Sequence, residues 1–155
     1  MITIKNHQGE YLFRVAGVLR SGDKILFQRN KKGDAWVLPG GRAEVNEPTG
    51  NVVVREFLEE LGFRVKVSRL FAIIENFNAY GNESLHEFGM YYEVESLDQL
   101  QHDFIEFEGI EETVNLTFRW ISMSEINQVK LYPKALHQLL TEMPADFRHL
   151  MNFDD

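Results

Sequence analysis

The stretch "LPGGRAEVNEPTGNVVVREFLEELGF", Leu38 to Phe63, constrains this chain more than any other. It opens with a proline and paired glycines, which interrupt regular structure, and ends beside Gly62, a helix-stop residue. Between them, Thr49 to Leu61 has helical spacing. The stretch holds Glu44, Glu47, Glu56, Glu59 and Glu60, and the base inside the helix is Arg55. A helix built for stability alone would interleave lysines with such acids. At about 100° per residue, Glu56, Glu59 and Glu60 share one arc, and Val54, Leu58 and Leu61 are expected opposite, as the core stripe. Like charges so placed repel one another, more strongly in a recess where screening is weak. A hard divalent cation relieves that repulsion. A solvated acidic helix face is the plain alternative, and "EFLEE" alone does not decide between them.

The 155 residues suit a single domain, 1–155, with a sizeable core. A formal net charge of -8 disfavours long nucleic acids and anionic membrane surfaces, both of which need basic clusters. A small phosphorylated ligand is compatible if a metal or a few arginines screen it. With no cysteine, disulfides and thiolate metal sites are excluded. "MITIKNHQGEYLF" lacks a signal-peptide layout and no apolar run is long enough to span a bilayer, so a cytoplasmic location is expected.

Along the chain, "YLFRVAGVLR" and "KILFQRN" read as a hairpin around "SGDK". "AWVLPGG" reads as a short strand stopped at Pro39. "FRVKVSRLFAIIENF" and "LHEFGMYYEVE" are extended, joined by "NAYGNES". "DQLQHD" to "GIEE" is expected as loop with room for a short strand, and "TFRWI" as the final strand. Ser122 and Glu125 have capping-box spacing, predicting a short helix from Met123. Pro133 suits the first turn of a last helix with the face Leu136, Leu139, Leu140 and Met143.

Gly41, Glu47, Arg55, Glu56, Phe57, Glu59, Glu60, Gly62 and Phe63 together follow G-x5-E-x7-R-E-U-x-E-E-x-G-U, where U is bulky and apolar. A chance match in such a chain is on the order of one in ten million. The segment resembles the Nudix box, the signature of the Nudix hydrolase superfamily, with every fixed position filled. Weaker similarity runs through the flanking strands, "ENFNAYGNESLHEFGMYYEV" and "FRWIS". The implied fold is α/β: the Nudix α/β/α sandwich, a mixed sheet between helices with the box as loop-helix-loop.

The resemblance implies hydrolysis of a nucleoside diphosphate linked to another group, with Mg²⁺ or Mn²⁺. ADP-ribose, nucleotide sugars, dinucleoside polyphosphates and modified nucleoside triphosphates all fall in that class. Glu56, Glu59 and Glu60 stand at the metal-ligand positions, and the carbonyl of Gly40 or Gly41 at a further one. Glu47 stands where the family pairs an acid with Arg55. The general base varies in the family, leaving Glu106, Glu108, Glu111 and Glu112 as candidates beside the box glutamates. Arg42, Arg14 and Arg29 are candidate phosphate or ribose contacts, Arg42 foremost because it follows the paired glycines. Phe77, Tyr80 and Tyr91 can stack on a base, although core packing suits any single aromatic better. His86 and the other histidines lack metal-site spacing and receive no role.

The box departs from its commonest form at Asn46, which tolerates left-handed backbone, at Pro48 in place of a hydroxyl cap, and at Gly50. The competing function is a Nudix-fold module that binds a nucleotide without cleaving it. A homodimer is compatible with the family, with nothing in the sequence to establish one.

Overall fold

The computed structural model describes residues 1–100 and 105–154. Its organising strand is β2 (Gly9–Ser21), which pairs antiparallel with β1 (Thr3–Asn6), β3 (Lys24–Asn30) and β4 (Gly40–Arg42), and parallel with β6 (Leu85–Ser96). β5 (Val65–Phe77) runs antiparallel to β6, and β9 (Arg148–Phe153) lies parallel to β5. On the other side, β8 (Leu116–Ser122) pairs with β3, and β7 (Glu106–Glu108) pairs with β8. The main order is β7-β8-β3-β2-β6-β5-β9, with β1 and β4 attached to β2.

Alternation along these strands feeds two cores. Val15 and Leu19 of β2, with Leu26, Phe118 and Trp120, pack against α1 (Thr49–Leu61) through Val52, Val53, Phe57 and Leu61. Ala16 and Val18, with Ile25, Phe27, Tyr91 and Ile121, pack against α2 (Leu136–Glu142) through Leu136, Leu139 and Leu140. The result is the expected mixed sheet between two helices. At Gly17 a Cβ would lie 2.9 Å from Val53 and 3.1 Å from Phe57, so the missing side chain lets α1 sit close to the sheet.

The hairpin, the two long strands, the limits of α1 and the buried Leu136, Leu139 and Leu140 of α2 match the sequence expectations, but Pro133 lies ahead of α2 instead of in its first turn and Met143 caps its end. Asn46 takes the left-handed backbone at φ 67°, Pro48 starts α1 without a side-chain cap, and Gly62 ends it at φ 71°.

Other expectations need correction. Val54 and Leu58 do not form the core stripe of α1: they are exposed, and the buried face is Val52, Val53, Phe57, Glu60 and Leu61. The glycines after Pro39 do not stop a strand but form one, β4, while Trp36 and Val37 make single bridges to Leu131 and Gln28. The capping contacts at Ser122 and Glu125 form, with Ser122 Oγ donating to Glu125 Oε1 at 2.9 Å, yet they lead into a 3₁₀ turn at Ile126–Gln128. "TFRWI" is not the last strand, because β9 follows and completes the sheet beside β5. β7 supplies the short strand allowed for in the long loop, of which Gln101 to Phe104 lie outside the described residues.

Candidate active site

The site grows from the contact of α1 with β4. Val15 on β2 is in register with Gly41, so Gly41 presents its bare α-carbon to the α1 side of the sheet. Glu56 fills that space: a Cβ on Gly41 would lie 2.3 Å from Glu56 Oε1. One turn further along α1, Glu60 points inward and is 7% exposed. Its Oε2 is buried and has no hydrogen-bond partner among the described residues.

Burial, first, and then the charge and hydrogen bond of neighbouring Glu56 push the Glu60 carboxyl up to about 9. Burial also raises Glu56, with Arg55 working against the rise. Glu111, from the loop after β7, adds repulsion at Glu60. The backbone N–H of Ile110 donates to the Glu60 carbonyl at 2.9 Å, which holds this loop on the end of α1.

Arg55 gathers the remaining acids. Its Nε donates to Glu47 Oε2 at 2.7 Å and its Nη2 to Glu47 Oε1 at 2.9 Å, a two-pronged pair that fixes the loop before α1. Its Nη1 donates to Glu56 Oε1 at 2.9 Å and reaches Glu59 Oε2 at 3.3 Å. The hydrogen bonds from Arg55 hold the Glu47 carboxyl below its ordinary range, while Glu47, Glu56 and Glu59 keep the guanidinium firmly charged. Glu59 is half exposed and turned outward to Arg55. Among the described residues, no three acidic or histidine side chains meet as a closed metal centre.

The donor set nevertheless suits a hard divalent cation. Two carboxyl groups meet in a recess, one oxygen lacks a partner, and the shape of Gly41 keeps Glu56 in place. Magnesium is often held by one or two carboxylates with waters and substrate phosphates completing the shell.

Of the three candidate arginines, Arg14 acts on that pair of acids, through its charge at Glu60. Register sets Arg14 directly across from Arg42, on the side of the sheet opposite Gly41's contact with Glu56. Arg42 Nη1 donates to Thr3 Oγ1 at 2.9 Å, and Arg14 Nη2 donates to the Leu38 carbonyl at 2.8 Å. Burial opposes the charge of Arg14, but Tyr80, Glu87, Tyr91 and Glu60 around it more than compensate. Arg29 lies over the Trp36 ring at 4.4 Å. Of the candidate bases, Glu108 is paired with Lys31 at 2.7 Å, and Glu106 lies on β7 opposite Arg119.

Tyr91 is 1% exposed and belongs to the α2-side core, so it offers no stacking face. Tyr80 directs its hydroxyl inward, donating to Glu87 Oε2 at 2.5 Å. Glu87 was not singled out from sequence, and its position between strand residues of both polar and apolar kind gave no signal. A second buried network, Asn76, Asn152 and Asp154, ties β5 to β9, with Asp154 accepting from Asn76 and Asn152 at 2.8 Å and from the Lys134 N–H at 2.9 Å.

Comparison with known proteins bears on this geometry. The NUDIX domain family model matches residues 11–142. The Nudix hydrolase YvcI of Bacillus subtilis is 26% identical over 130 residues, covering 83% of this chain and 78% of that protein. Mouse diphosphoinositol polyphosphate phosphohydrolase 2 is 40% identical over 52 residues, covering 34% of this chain and only 29% of its own length. An ADP-ribose pyrophosphatase structure from Streptococcus suis superposes with a TM-score of 0.64 at 19% identity, covering 91% of this chain and 98% of that one, which is a likeness of fold. The family match takes in both core faces and the whole Glu47–Glu60 site, and the chain belongs to the Nudix family.

Proposed function

We propose that this chain is a divalent-cation-dependent hydrolase that cleaves the diphosphate of a small nucleotide derivative. The observation that carries the reading is the Glu56–Glu60 pair beside Gly41, with a buried Glu60 oxygen that has no hydrogen-bond partner among the described residues. A bound Mg²⁺ or Mn²⁺ would neutralise the diphosphate and polarise the attacking water. Glu56 and Glu60 would hold it, with the Gly41 carbonyl, while Glu59 sits at the rim beside Arg55. Glu47 positions Arg55, and Arg55 keeps Glu56 over Gly41.

In the reaction, water adds to one phosphorus and the bridging P–O bond breaks. The leaving phosphate keeps the bridging oxygen, and the water proton passes to a carboxylate. Glu111 is the loop acid favoured for that proton, because the neighbouring Ile110 N–H holds its loop on the Glu60 carbonyl. Arg14, whose charge reaches Glu60, is the arginine favoured for the outer phosphate or ribose, with Arg42 across from it in register.

A nucleotide derivative fits better than a highly phosphorylated inositol. The chain carries a net charge of -8, and Arg14, Arg42 and Arg55 are each already engaged. The outward position of Glu59 favours a second reading, a module that binds a nucleotide and leaves it intact.

One assay separates the two. Purified protein is incubated with ADP-ribose, nucleotide sugars, dinucleoside polyphosphates and modified nucleoside triphosphates, with Mg²⁺ or Mn²⁺, and products are followed by ³¹P NMR. Turnover that falls at least a hundredfold in Glu60→Gln supports hydrolysis. Nucleotide binding by calorimetry without any turnover supports the module, and equal turnover in Glu60→Gln removes the proposed role of the acids.

A further inference from the structure

The helix α1 crosses the sheet over Gly17, and among the described residues no helix covers the same face toward the start of β2. There, four rings stand side by side across four strands. Phe153 of β9 stacks on Phe77 of β5 at 5.1 Å, Phe77 stacks on His86 of β6 at 4.4 Å, and His86 meets the edge of Tyr11 of β2 at 4.9 Å. The strand register aligns these residues directly, Phe77 with Phe153 and His86, and His86 with Tyr11. Tyr11, Phe77 and His86 line a cavity of about 270 Å³, walled on its outer side by Ile4, which is 59% exposed. His86 Nε2 is buried, and no hydrogen-bond partner for it exists among the described residues.

We propose that this slot is a subsite for a flat heteroaromatic ring, the nucleobase of the substrate. The ligand class rests on the hydrolase reading above; the location rests on the slot itself. The row of rings supplies an apolar aromatic floor on which a planar guest can lie. The unpartnered imidazole nitrogen calls for a polar atom in the ring plane, which a hydrocarbon would not provide. Asn6 and Ser84 add amide and hydroxyl groups at the rim. A phosphate is unsuited, since Glu10 and Glu83 stand in the wall.

The slot also lies on the catalytic side of the sheet. Tyr11 precedes Val15 on β2 by four residues, and Val15 is in register with Gly41, a separation of about 13 Å at roughly 3.3 Å per residue. Between the two lies the stacked pair Phe13 and Phe88, with ring centroids 5.4 Å apart, an apolar track from acids to slot. A diphosphate held at Glu56 and Glu60 would direct its nucleoside along that track.

The test is a titration of metal-free protein with adenosine, guanosine, cytidine and uridine, followed through the histidine ring resonances by NMR. His86→Gln assigns the signal; where that variant does not fold, the resonance is assigned through its contacts with the Phe77 ring. Expected is a saturable shift of the His86 signal with at least one nucleoside. The dissociation constant should rise at least tenfold in Tyr11→Leu, with folding confirmed by circular dichroism, and stay unchanged in Glu60→Gln. No shift with any of the four, or undiminished binding in Tyr11→Leu, overturns the subsite even if hydrolysis is observed. A shift in a protein that turns over nothing in the panel keeps the subsite and removes the hydrolase reading.

Discussion

An inward-facing carboxyl such as Glu60 costs stability unless something balances its charge, and Arg14 only partly offsets the burial and the repulsion from Glu56 and Glu111. Replacing it should therefore separate stability from function. Glu60→Gln is expected to raise metal-free stability by about 1 kcal/mol in urea unfolding. The same variant should lose the rise in melting temperature that millimolar Mg²⁺ or Mn²⁺ gives the wild type. Glu87 provides a separate check away from the acids of α1. Burial raises its folded-state value, with Arg14 and the Tyr80 hydrogen bond pulling the other way. The folded protein thus keeps a proton that the unfolded chain releases near 4.5, and stability falls as pH rises above that value toward the folded one. Urea unfolding at pH 5 and pH 8 should show Glu87→Gln gaining on wild type at the higher pH; a constant difference would contradict this sign.

Among the elements, α1 shows where sequence reasoning reached and where it stopped. Its limits and its left-handed end at Gly62 were legible because each depends on neighbours within a few residues, and the pairing of Arg55 with Glu47 was legible through the resemblance to the Nudix box. Its buried face was not. Choosing Val54, Leu58 and Leu61 kept the acids and the core on opposite sides, whereas the helix buries Phe57 and Val53 and takes Glu60 in with them. The acids sit on the border of the apolar face because the site lies under the helix edge and not out in solvent. β9 escaped notice for another reason: Arg148–Phe153 is short, lacks a clean alternation, and owes its place to pairing with β5 and to the Asp154 network. The contact of α1 with the sheet yields a direct test. Gly17→Ala forces a methyl against Val53 and Phe57, so about 1–3 kcal/mol of stability should be lost. Turnover should drop with it, because Glu56 and Glu60 ride on the helix that is displaced. Full activity in a stably folded Gly17→Ala protein would mean that the helix tolerates the shift.

For the molecule as a whole, a net charge of -8 sets the company it keeps. Strongly anionic ligands are repelled at long range, and only local cations or bound metal reverse that. Inositol hexakisphosphate should accordingly inhibit turnover of a nucleotide substrate at least tenfold more weakly than the cognate nucleoside monophosphate product does, measured by competition at constant ionic strength. Comparable inhibition would contradict this ordering. The family membership was legible from one continuous segment, since loop, helix and acids are contiguous there. The ring slot was not, because its members come from β2, β5, β6 and β9 and meet only through strand register. β2 touches four other strands and contributes to both cores. A single inserted residue there would turn every side chain beyond it over. Diversification within such a scaffold is therefore channelled into the tips of its hairpins, where a lineage can lengthen or rewrite a loop while the central ribbon stays frozen.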